Sequence, residues 1–190
     1  MDILFDFHGR ANSTTYDNYV KIRKAGGYTA RLGVESFSDK ILSLMNKKVT
    51  RQQNIDAIKM VKDAGLFSRI FIIFGFPGEN ENSVDETIAG IEESNPDQIF
   101  LSTFVPYPGC AAYNHPEKFG ITNINKDYSK YCIVTIIVDW DNVGECNFKK
   151  FEDHMDNDKY FWFWDWEKIE ILKEASLLRI QSMKLGMKME

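Results

Sequence analysis

Arg69-Ile70-Phe71-Ile72-Ile73-Phe74-Gly75-Phe76-Pro77-Gly78-Glu79 is the stretch on which the reading of this 190-residue chain turns. Arg69 to Phe74 is a nearly continuous apolar run of strand length, as expected of a strand buried on both faces in a parallel sheet. The turn that follows combines proline, which sets one backbone angle, with glycine, which permits a positive one. Gly75 and Phe76 then stand at the carboxyl end of a strand, the end at which α/β barrels hold their ligands.

Working outward, helices alternate with strands on both sides. Ahead of the run, Thr50 and Gln53 have capping-box spacing, and Ile55, Ile58, Val61 and Ala64 face a core before Gly65 stops the helix. A shorter helix carries Ile41, Leu42 and Met45. Before it, Thr29 to Val34 reads as a strand ending in Gly33-Val34-Glu35-Ser36. Ile3 to Phe7 reads as the first strand, followed by a helix from about Thr15 with Tyr19, Ile22 and Ala25 on one face and Gly26-Gly27 as its stop. Beyond the turn, Ser83 and Glu86 predict a second capping box, Val84, Ile88 and Ile91 point inward, and Pro96 ends the helix. Ile99 to Phe104 is a fourth strand, closed by Pro106-Tyr107-Pro108-Gly109. The order strand, helix, strand, two helices, strand, helix, strand predicts an α/β fold, and right-handed crossovers make its strands parallel.

The pattern changes from Asn114. Asn123 to Tyr131 is polar, Cys132 to Val138 is a strand or buried segment, and Asp139 to Asp158 is acidic and loop-rich. The aromatic run Phe161 to Trp166 is expected to pack a terminal helix, about Glu167 to Lys184, against the rest or against another segment. The predicted division is a barrel half over residues 1–115 and a small, mostly helical extension over 116–190.

Bulk properties exclude several classes. Hydrophobic content of 44% with 27% charged residues is that of a globular protein, and a net charge of -5 argues against nucleic acid as a partner. The basic clusters Lys21-Arg23-Lys24 and Lys47-Lys48-Arg51 read as solvated helix surface. No segment reaches the roughly 20 apolar residues of a membrane span. The first residues lack a secretory pattern, and Cys110, Cys132 and Cys146 are too few and too scattered for a disulfide framework or a zinc site. A cytoplasmic protein with reduced thiols is expected, with no metal ligands among these side chains.

Candidate site residues sit at the strand ends. Glu35 can accept two hydroxyl hydrogen bonds, as from a ribose, with Ser36 beside it, or the two can serve as a helix-capping pair. Arg10 can grip a ligand carboxylate or form a surface ion pair. Gly75 admits a ligand close to the backbone or simply makes a tight turn. His8 reads as structural or solvated.

Taken in order, Arg31 to Ser36, Ile41-Leu42, Met45-Asn46-Lys47, Ala57-Ile58, Ala64-Gly65, Phe71 to Glu79 and Pro106 to Gly109 resemble the radical S-adenosylmethionine (SAM) superfamily. The likeness is strongest to the branch whose members often carry a cobalamin-binding domain, and it spans roughly residues 1–115. It implies the third to sixth strands of a (β/α)₆ barrel. It also implies a family chemistry in which a [4Fe-4S] cluster cleaves SAM to a 5′-deoxyadenosyl radical that takes hydrogen from a small-molecule substrate. By this resemblance Glu35 and Ser36 hold the ribose or methionyl part of SAM, Arg10 its carboxylate side, and Gly75 with Phe76 the adenine; cobalamin is a further cofactor the branch allows.

The family holds its cluster with a Cys-x-x-x-Cys-x-x-Cys loop, and no such loop occurs in this sequence. The expectation is therefore the carboxyl-terminal half of a radical SAM enzyme, inactive without an amino-terminal cluster-binding half, with that half or a reductant protein as partner. No residue of the chain is assigned a catalytic role. A degenerate, non-enzymatic half-barrel binding a nucleoside-like ligand or a partner protein is the alternative. Phe37, where the branch commonly has glycine, is expected to crowd the pocket, and Cys110 is read as a filler in place of threonine.

Overall fold

The computed structural model describes residues 3–128, residue 131 and the backbone of residues 138–140. Four strands, β1 (Phe5–Gly9), β2 (Gly27–Glu35), β3 (Phe67–Phe74) and β4 (Gln98–Thr103), form one parallel sheet in the order β1-β2-β3-β4. Each new strand joins the same edge. With right-handed connections that winding sends every crossover helix to one face, the arrangement of a (β/α) barrel and not of a doubly wound sheet.

The crossovers are α1 (Tyr16–Lys24), the pair α2 (Asp39–Leu44) and α3 (Arg51–Asp63), and α4 (Glu81–Ser94). Their apolar positions are those the spacing predicts. Tyr19 on α1, Ile55, Ile58 and Val61 on α3, and Val84, Ile88 and Ile91 on α4 are all buried. They meet Ala30, Leu32 and Val34 of β2 and Ile70, Ile72 and Phe74 of β3, which are buried too. The core therefore lies between the helices and one face of the sheet.

The opposite face differs from expectation. Phe67, Arg69, Phe71 and Ile73 of β3 are only half-buried, alternating with fully buried neighbours. The run is apolar on both sides because its second face belongs to a barrel interior, and no described helix covers it.

Helix ends show how closely local chemistry is followed. Thr50 and Gln53 form the capping box at the start of α3. At α4 the box is one turn earlier than Ser83–Glu86: the Asn80 side chain accepts the Ser83 N–H at 3.1 Å, and Ser83 Oγ accepts the Asn80 N–H at 2.9 Å. Asparagine caps a helix as well as serine does, and here serine completes the box in place of glutamate.

After β4 come a short helix α5 (Ala111–Asn114), a 3₁₀ turn (Pro116–Phe119) and a strand β5 (Ile121–Ile124), which pairs antiparallel with β6 (Val138–Trp140). The β5–β6 ladder was not legible in the polar stretch after Asn114. The aromatic run and terminal helix expected over 161–184 lie outside the described residues, as do the acidic loop, Cys132 and Cys146.

Candidate functional site

The site is built where β1 and β2 end. At Glu35 the backbone is left-handed, φ 67°, and the pairing of β2 with β3 shifts register between Gly33 and Glu35. A glutamate in that conformation is strained by about 1 kcal/mol or more, which surrounding structure must hold in place. It does so from two helices. Asn54 of α3, fully buried, donates to the carbonyls of Val34 and Ser36 at 3.3 and 3.2 Å. Thr87 of α4 accepts the Phe37 N–H at 3.2 Å and meets Ser36 Oγ at 3.2 Å.

The result turns the Glu35 carboxylate back over the strand end, onto Gly33. A Cβ at residue 33 would come within 2.9 Å of Glu35 Oε1, so only glycine leaves the carboxylate this position. Glu35 Oε1 also accepts from Lys47 Nζ at 2.8 Å, and both side chains are largely buried. Lys47 therefore belongs to the site and not to a solvated basic surface as the sequence reading had it.

Lys47 arrives there through the exit of α2, a Schellman turn. The N–H of Lys47 reaches the carbonyl of Leu42 at 3.0 Å, that of Asn46 reaches Ser43 at 2.9 Å, and Asn46 takes φ 55°. Asparagine tolerates that left-handed position, and the turn leaves the next residue aimed back at the sheet. The signal was present in Met45-Asn46-Lys47, but spacing alone did not connect it with Glu35.

Arg10, Ala11, Asn12, Gly33, Lys47 and Val49 line a small cleft beside this pair. Arg10 is exposed and makes no ion pair among the described residues. Two cations and a carboxylate thus converge at the ends of β1 and β2.

Gly75 and Phe76 form a second part of the rim, at the end of β3. Gly75 has φ 72°, and its N–H donates to Glu79 Oε2 at 2.7 Å. Glu79 is 3% exposed, and burial pushes its carboxyl up to about 7 against the pull of the backbone N–H groups of Gly75 and Phe76. The Phe76 ring is buried edge-on to Phe104 at 4.8 Å and Phe119 at 6.4 Å. What Gly75–Phe76 offers a ligand is accordingly backbone more than ring.

Ser36 is engaged internally. It is 1% exposed, and its Oγ accepts the Ser38 N–H at 3.0 Å besides meeting Thr87. Phe37 does not crowd the cleft: it is fully buried with its ring over Gly90 of α4, where any Cβ would come within 2.3 Å of it. Cys110 is exposed at the start of α5 and fills no threonine-sized space. His8 is solvent-exposed and stacks on Phe71.

These residues suit the polar groups of SAM, with a carboxylate for ribose hydroxyls and two cations for an amino-acid carboxylate. They do not suit an iron–sulfur cluster. Among the described residues no three His, Cys, Asp or Glu side chains gather as a metal site, and the three-cysteine loop is missing from the sequence.

Comparison with known proteins agrees with the fold. Residues 3–90 match the radical SAM superfamily. An uncharacterized methyltransferase of Pyrococcus horikoshii is 34% identical over 116 residues, 60% of this chain and 25% of that protein. The anaerobic magnesium-protoporphyrin IX monomethyl ester cyclase of Rubrivivax gelatinosus is 30% identical over 116 residues, 61% of this chain and 20% of the cyclase. The chain thus spans a quarter or less of the length of these curated relatives. Among solved structures, the archaeal Elp3 of Methanocaldococcus infernus superposes with a TM-score of 0.55 at 20% identity, over 61% of this chain and 28% of that one, a likeness of fold.

Proposed function

We propose that this chain, which belongs to the radical SAM superfamily through residues 3–90, supplies the SAM-binding strands of a radical SAM enzyme. The superfamily uses SAM and a [4Fe-4S] cluster, and SAM bound to a reduced cluster supplies its hydrogen-abstracting chemistry. Residues 1–115 are the barrel half and 116–190 an extension of it.

The observation that carries this reading is the strained Glu35, held over Gly33 and paired with Lys47 at 2.8 Å beside Arg10. A partly buried carboxylate–ammonium pair, built on a strained backbone, is a poor source of stability. At a strand end it makes sense as a preformed receptor. Glu35 accepts hydroxyl hydrogen bonds, Lys47 and Arg10 neutralise a carboxylate, and the Gly75–Phe76 backbone borders a flat base. Glu79 keeps that backbone in place from behind.

In this reading the cluster's thiolates come from a separate cluster-bearing segment, which with a reductant protein is the partner, in the cytoplasm. No helix among the described residues is long and apolar enough to cross a membrane. Cobalamin has no assigned residue here.

The test is calorimetric titration of the full chain with S-adenosylhomocysteine, which keeps the ribose and the amino-acid carboxylate. Binding is expected, and Glu35→Gln is expected to weaken it about tenfold, the worth of roughly one or two hydrogen bonds to a charged group. Equal binding by the variant would remove Glu35 from the site and the reading with it.

A further inference from the structure

The face of the sheet that no described helix covers carries chemistry that the SAM site leaves unused. Strand register sets His8, Arg31, Arg69 and Gln98 in one row across the four strands, and Gly33, Phe71 and Phe100 in the next row toward the rim. Arg31 is paired with Asp6. Arg69 is not paired with any described carboxylate; its Nε donates to Gln98 Oε1 at 2.6 Å. Burial, and the neighbouring guanidinium of Arg31, lower the pKa of Arg69, and the carboxylate of Asp6 offsets part of that.

Beside this cation the His8 ring stacks on Phe71 at 6.0 Å and 18°, and Phe71 meets Phe100 at 5.2 Å. The face therefore joins a strip of three rings to a half-buried guanidinium that shares its nearest carboxylate, Asp6, with Arg31. Two arginines against one aspartate leave it positive, in a chain of net charge -5.

We infer that this face binds a planar, carboxylate-bearing molecule, its ring system on the His8–Phe71–Phe100 strip and its carboxylate on Arg69. A guanidinium fork matches a carboxylate in two parallel hydrogen bonds, and flat rings gain most on aromatic side chains. A neutral aromatic ligand would leave the excess positive charge of Arg31 and Arg69 over Asp6 unmatched, and an aliphatic acid would leave the rings bare. The strip lies two residues down the strands from Glu35, on the same face. That this ligand is the substrate rests on the SAM-binding reading; that the site exists does not.

The experiment titrates the full chain with 2-naphthoate, 2-naphthalenemethanol and cyclohexanecarboxylate by saturation-transfer NMR. The naphthoate is expected to bind at least tenfold tighter than either of the others. Arg69→Gln removes its advantage over the alcohol, Arg69→Lys restores part of it, and Phe71→Leu weakens both aromatic ligands. The comparison of three ligands on the unsubstituted chain decides the matter even where a variant folds poorly. Naphthoate binding no tighter than the alcohol, or unchanged in Arg69→Gln, overturns the inference. S-adenosylhomocysteine in the same samples separates the two readings: naphthoate bound without it sinks the SAM assignment alone, and the reverse sinks this one alone.

Discussion

Glu79 shows what a single buried carboxyl does to the rim. It is almost wholly enclosed, it holds the Gly75 N–H at 2.7 Å, and its own N–H returns to the Phe76 carbonyl at 3.0 Å. Burial lifts its pKa to about 7, so in the fold it keeps a proton that the unfolded chain releases near 4.5. Between those values the folded state binds more protons, and stability falls as pH rises. By linkage the fold loses roughly 3 kcal/mol between the acid side of that window and the alkaline side. Glu79→Gln keeps the acceptor and removes the proton, so urea denaturation at about pH 5 and about pH 8 should show the loss in the parent chain and little in the variant. The same loss in both would mean that another group titrates. Residues of this kind were only partly legible in the sequence. Gly-Phe-Pro-Gly-Glu announced a turn, but nothing in its spacing said that the glutamate points inward. The strand-end positions of Glu35 and Arg10 were legible, whereas the approach of Lys47 was not, since it depends on the left-handed turn at Asn46 that ends α2.

At the scale of elements, α4 is docked by a matched pair. Phe37 leaves the end of β2 and buries its whole ring over Gly90, in space that only a missing Cβ provides. The same segment is held by Thr87, one turn earlier on the helix. A glycine inside a helix costs about 1 kcal/mol relative to alanine, so its presence marks a close approach. Gly90→Ala recovers that propensity but drives a methyl group into the ring, an overpacking worth about 1–3 kcal/mol and sometimes more. The net expectation is destabilisation by roughly 1–2 kcal/mol in thermal or urea unfolding, relieved when Phe37→Leu is added. Additive effects of the two substitutions would mean that the ring and the glycine do not meet. The strand and helix order of the barrel half was readable from apolar spacing, caps and Gly stops, because these act within one element. Phe37 was misread as crowding the cleft because its direction is decided by the helix across from it. The α4 cap was misplaced for the opposite reason: two polar pairs competed locally, and the asparagine prevailed.

Across the whole sheet, the decisive feature is an open edge. Among the described residues β1 pairs only with β2, so its outer N–H and C=O groups face away from any strand. Just ahead of and at the start of that strand, Ile3, Leu4 and Phe5 are 55%, 51% and 37% exposed. Exposed apolar residues on an unpaired strand are a template for pairing with another chain. Natural edges are often blunted by lysine or proline, and residues 3–5 carry neither, although the pairing of β1 with β2 shifts register between Phe5 and Asp6. The barrel winding gives the edge its meaning: a sheet that always adds strands to the same side has at β1 the place where a preceding strand would pair. The full chain by itself is therefore expected to self-associate through β1, its sedimentation coefficient rising with concentration. Ile3→Lys with Leu4→Lys places two charges on that edge and should hold the chain monomeric at the same concentrations, with an unchanged circular dichroism spectrum. A parent chain that stays monomeric throughout would show that the edge is already covered, by residues beyond those described. Association that persists in the double variant would move the contact to another surface.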